Sequence, residues 1–137
     1  MGDDLMTPFE RDVIERIVQE SGVHEQELRA QLPALRVRKR DEDAGGLWLR
    51  FDTNAFSGAR SHWSGELGRV MAILADEPRL GFVLWISDGV ISELEGFTYP
   101  AVDWPMDKSG LVLTGFEPGS TPYRPTWSSI WRTWRGR

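Results

Sequence analysis

The sequence predicts an α+β fold: two N-terminal helices packed on a mainly antiparallel β-sheet, with a short tryptophan-rich C-terminal helix. Three observations carry this expectation. Apolar residues near the N-terminus recur at helical spacing. Between residues 35 and 114 the chain breaks into strand-length runs rich in Val, Ile, Leu and aromatics, separated by turn residues. Trp127, Trp131 and Trp134 then repeat at i, i+4 and i+7.

The first helix has a marked start. Thr7-Pro8-Phe9-Glu10 supplies a capping hydroxyl, a proline at the first helical position and a glutamate at the third, which together make a capping box. Phe9, Val13, Ile14, Ile17 and Val18 form its apolar face, and Gly22 is its expected stop. His24–Gln31 reads as a second, shorter helix, with Glu25 and Glu27 early, Arg29 late and Pro33 as its breaker.

Leu35–Arg38 alternates like an edge strand, and after the turn at residues 43–46 Leu47–Phe51 returns as its hairpin partner. Thr53–Gly65 has no period and reads as a connection. Leu67–Ala75 reads as a strand, Asp76–Arg79 as a turn and Phe82–Ile86 as a buried strand containing Trp85. Asp88-Gly89 supplies the positive φ of a tight hairpin. On the return strand, Val90, Ser92 and Leu94 are expected on one face, with Ile91, Glu93 and Glu95 on the other. A short strand at Leu111–Thr114 completes a sheet of about four to six strands. Residues 1–116 are expected to form one domain. Residues 117–137 would be a Pro/Ser/Thr linker with a Trp/Arg-rich segment.

One apolar core fits a chain of 137 residues, 40% of them apolar. The absence of cysteine excludes disulfides, thiolate metal sites and a cysteine nucleophile. The acidic start and the lack of a long apolar run lead us to expect a cytoplasmic protein. Residues 76–117 hold eight acids against Arg79 and Lys108, a balance of −6, whereas residues 118–137 hold four arginines and no acid. An acidic middle suits a basic protein partner and repels nucleic acid.

Few residues suggest chemistry. His24 and His62 stand apart without metal-ligand spacing, and no nucleophile elbow, phosphate loop or dinucleotide fingerprint is present. The expectation is therefore no catalytic residue, no metal and no cofactor. Glu93 and Glu95 share a strand face, so they could belong to a solvated, solvent-facing side of the sheet, form part of a docking surface for a basic partner, or act as an acid–base pair. The tryptophan face has three readings: docking on its own domain, a protein interface, or contact with a membrane surface.

The order Gly81-Phe82, Asp88-Gly89, Ile91-Ser92, Leu94-Glu95-Gly96-Phe97-Thr98-Tyr99 and Trp104-Pro105 resembles a family of small, largely uncharacterised bacterial proteins. Thr7–Arg11 with Val13-Ile14, and Arg29–Leu32, look like that family's N-terminal helices. Similar hairpins occur in immunity proteins, which neutralise toxins in bacterial competition systems. The resemblance covers roughly the first 105 residues and implies no enzymatic activity.

The expected function is accordingly non-catalytic protein binding, with immunity to a cognate basic toxin as its concrete form. Asp88, Glu93, Glu95 and Asp103, with Trp127, Trp131 and Trp134, are the candidate contact residues. The alternatives are a small enzyme using Glu93 and Glu95, or a structural subunit assembled through the tryptophan tail.

Overall fold

A computed structural model describes residues 6–74, 77–98 and 103–115. The helices form where the periodicity places them. Helix α1 spans Pro8–Gln19 with the complete Thr7/Glu10 capping box, and helix α2 spans Glu25–Gln31. Single 3-10 turns at Gly22–His24 and Leu32–Ala34 flank α2, the second containing Pro33.

Six strands follow: β1 (Val37–Asp43), β2 (Gly46–Phe51), β3 (Gly65–Leu74), β4 (Glu77–Ser87), β5 (Val90–Thr98) and β6 (Val112–Gly115). They form one sheet in the order β1-β2-β5-β4-β3-β6, and every neighbouring pair is antiparallel. Both helices lie on the face carrying Leu47, Leu49, Phe51, Val70, Ala72, Leu80, Phe82, Leu84 and Leu94. Val13, Ile14, Ile17 and Val18 of α1 and Leu28 of α2 close this core. Burying such side chains stabilises the fold by about 1.5–3 kcal/mol each.

The order of strands decides where the loops run. Strand β2 ends beside the start of β5, whereas β3 begins beside the end of β4. Residues 52–64 must therefore cross the end of the sheet where the β4–β5 hairpin turns. No helix of the described residues is long and apolar enough to cross a membrane.

Four expectations need correction. Glu77, Pro78 and Arg79 are not a turn but the start of β4. Proline is tolerated there because pairing with β5 begins only at Leu80, so Pro78 has a strand on one side alone. The predicted alternation along β5 fails because the register slips between Trp85 and Ile86. Ile86 faces Ile91 and Trp85 faces Glu93, which makes Ser92 an extra residue and turns Ile91 inward. Trp85, between the core residues Leu84 and Ile86 on the alternating β4, belongs to the face opposite the helices and stands outside the helix-side core. Finally, strand β1 runs on through Arg38–Asp43, a charged stretch that carries no strand signal. The expected C-terminal helix, with Trp127, Trp131 and Trp134, lies outside the described residues.

Candidate functional site

The best-defined polar cluster sits at the end of the sheet where β4 turns into β5. Asp88 adopts φ 50° and Gly89 φ 81°, the left-handed conformations that a tight hairpin requires and that Asp and Gly tolerate. A Cβ at residue 89 would also collide with the Ser61 carbonyl, so the loop lies directly on the turn.

The loop holds the turn by side chain and backbone alike. Arg60 Nε donates to the Asp88 carbonyl at 2.8 Å, and its guanidinium lies 3.4 Å from the carboxylate. His62 Nδ1 is 2.7 Å from Asp88 Oδ1. The Asp88 N–H donates to Ser64 Oγ at 2.9 Å, and the Gly89 N–H to the Trp63 carbonyl at 2.6 Å. Glu27 of α2 accepts from the Ser61 N–H at 2.5 Å and from its hydroxyl at 2.9 Å. His24 stacks on Trp63 with ring centroids 4.1 Å apart.

From below, Gln31 does what a neighbouring strand would do. Its amide donates to the Gly89 carbonyl at 2.8 Å and accepts from the Ile91 N–H at 2.9 Å. Gln31 is buried, and it pairs two backbone groups next to the register slip that would otherwise lose their ladder partners.

The electrostatics keep this end ionised. The His62 hydrogen bond outweighs desolvation and, aided by the His62 and Arg60 charges, holds the Asp88 carboxyl below the usual range. The two Ser61 hydrogen bonds do the same for Glu27. Asp88 and His62 nevertheless remain 62% and 68% exposed, so the carboxylate and the imidazole are both offered to solvent. The His62–Asp88 pair orients the ring as a catalytic dyad would. Among the described residues, however, no serine or threonine hydroxyl is hydrogen-bonded to that ring.

The other acids expected to join Asp88 are distributed elsewhere. Glu93 faces away from the helices, opposite Trp85 and Arg50, and lines a shallow groove of ≈ 430 Å³ with Thr53, Ser64, Trp85 and Ser92. Glu95 shares that face, as its spacing requires, but it is fully buried and accepts a 2.9 Å hydrogen bond from Trp85 Nε1. That corrects the expectation of a solvent-facing Glu93/Glu95 pair. Two-carboxylate hydrolysis needs both groups to reach one bond, and here only Glu93 reaches the groove. Asp103 is exposed near the opposite end of the sheet, beside Trp104. The single acidic surface expected from the sequence is thus divided among three places.

Arg60, Ser64, Glu27 and Gln31 carry no motif, and sequence reasoning missed them. Only the polar, histidine-containing composition of 53–65 hinted that this loop holds something. Comparisons with protein-family models, with curated proteins and with solved structures find no match to this chain.

Proposed function

We propose that this chain is a non-catalytic, cytoplasmic protein-binding domain that docks its partner on the β4–β5 turn, most concretely an immunity protein occluding a basic toxin. The observation that supports this reading is the combination of exposure and restraint at Asp88. Its carboxylate is open to solvent, yet Arg60, His62, Ser64 and Gln31 hold the turn in one shape. A surface that is already ordered loses little conformational entropy on binding, which favours affinity. The ionised Asp88 and Glu27 suit a cationic partner, and the loop residues between them suit hydrogen bonding.

The test begins with the neighbouring gene's product. Co-expression with that protein should relieve its toxicity, and the two should co-purify. Asp88→Asn combined with Glu27→Gln should then weaken binding by about tenfold or more in calorimetry. Unrelieved toxicity with no complex would end the immunity reading. A complex that tolerates the double substitution would place the contact away from this turn.

A further inference from the structure

We propose that Gln31 is the positioning residue of the Asp88 turn: from helix α2 it fixes the point at which β5 slips against β4. This goes beyond the proposed function, because it concerns how the turn acquires its shape and holds with or without a partner.

The hairpin has two registers open to it. Strands β4 and β5 pair regularly from Leu80↔Thr98 to Trp85↔Glu93. Continued unbroken, that register would pair Ile86 with Ser92 and Ser87 with Ile91, and Asp88, Gly89 and Val90 would form a three-residue loop. It is the arrangement that the strand's own alternation asks for, with Ser92 toward the helices and Ile91 away from them. The structure adopts the other one. Ile86 pairs with Ile91 and Ser87 with Val90, so Asp88 and Gly89 alone make the turn. Ile91 is then fully buried in the helix-side core, while Ser92 becomes the extra residue of the slip.

Turn chemistry and Ile91 burial favour the slip, but a bulge interrupts the ladder and leaves backbone groups to be satisfied elsewhere. Pairing of β5 with β2 stops at Arg50↔Glu93, short of the turn. Gln31 takes over beyond that point. Its side-chain oxygen accepts from the Ile91 N–H at 2.9 Å, and its amide nitrogen donates to the Gly89 carbonyl at 2.8 Å.

These two bonds discriminate between the registers. A one-residue slip turns a strand over, so each side chain changes face and each N–H and C=O changes edge. In the unbroken register the Ile91 N–H would turn away from Gln31, whose buried amide would lose its partners. Helix α2 thereby grips both parts of the site. Glu27, four residues before Gln31 and on the same side of the helix, holds Ser61 of the loop while Gln31 holds the turn. The loop's own bonds, from Arg60 to the Asp88 carbonyl and from the Gly89 N–H to the Trp63 carbonyl, are made to the two-residue turn.

Nuclear magnetic resonance on the isotope-labelled full chain reads the register through cross-strand proton contacts. In the unmodified chain Ile86 should contact Ile91 alone. Gln31→Met keeps the length of the side chain and removes both bonds. It should give a second set of signals for residues 86–92, populated to about 10% or more, in which Ile86 contacts Ser92. Deleting Ser92 removes the extra residue, so that Ile86↔Ile91 and Trp85↔Glu93 follow one another without a slip. In that background Gln31→Met should show the Ile86–Ile91 contact alone. A single Ile86–Ile91 register in Gln31→Met with Ser92 present would overturn the proposal. Should that variant fail to fold, the deletion decides, and folding there with the Ile86–Ile91 contact supports the register role. Failure of the deletion to fold, with or without Gln31→Met, or second signals persisting in it, would overturn the proposal, since Gln31 would then matter for something other than the slip.

Discussion

The two ends of the sheet carry polar clusters of similar composition and opposite character. At the Asp88 end, Arg60, His62 and Ser64 hold Asp88, Glu27 holds Ser61, and the Asp88 and His62 side chains remain open to water. At the other end the charges are drawn inward. Glu10 completes the α1 capping box through the Thr7 N–H at 3.0 Å, and it also receives both guanidinium nitrogens of Arg40 at 2.6 and 2.8 Å. Glu42 accepts from Lys108 at 2.6 Å and from Trp104 Nε1 at 2.8 Å, while Arg40 lies 3.7 Å from it. The Trp104 ring packs where a Cβ on Gly96 would collide with it, so glycine at 96 is what admits the indole to the core. One cluster therefore ties helix, edge strand and the 103–111 segment together, whereas the other shapes an accessible turn. Burial, not residue type, separates structure from a candidate contact surface.

The largest effect expected from this contrast is at Arg40. Arg40→Met would leave the Glu10 carboxylate buried without its cation, and losing one partner of such a pair costs about 2–4 kcal/mol. Urea denaturation should show this loss. Adding Glu10→Gln should recover part of it, because the stranded charge disappears. A loss below about 1 kcal/mol for Arg40→Met would mean that this end is no more structural than the other.

Acid should discriminate between the ends by a smaller margin. Burial pushes the Glu42 carboxyl up, but the Lys108 and Trp104 hydrogen bonds and the nearby cations outweigh it, leaving the group below the usual range. Its folded pKa is thus lower than its unfolded one. The stability it contributes is present above the ordinary glutamate value of 4.5 and is lost as pH falls through the folded value. Thermal melts should decline through this acidic window, and Glu42→Gln should be less stable at pH 7 with a shallower acid limb. An unchanged acid limb in Glu42→Gln would remove Glu42 from the account.

The smallest effect belongs to Asp88. Asp88→Asn keeps a residue that tolerates positive φ and removes a charge that is exposed, so stability should be nearly unchanged. Denaturant midpoints would check this. A midpoint lowered as far as that of Arg40→Met would make the turn a structural element and erase the distinction between the two ends.

Local patterns legible in the sequence became local structure. The Thr7–Glu10 box, the apolar face of α1, the two hairpin turns and the run Phe82–Ile86 all act within a few residues, so spacing alone determined them. What acts across the chain was not legible. The register slip at Ser92 reassigned Ile91, because the slip answers the partner strand and not the strand's own alternation. Strand order carried residues 52–64 over the Asp88 turn, and so paired His62 with a carboxylate 26 positions away. Glu95 and Glu93 lie on one face as their spacing dictates, but only the packing of the sheet buries one at Trp85 and leaves the other at a groove. The sequence by itself determined which residues curl, extend or turn, since these are preferences of neighbouring side chains. Only the tertiary structure decided which charges face water, because solvation depends on what the rest of the chain brings alongside.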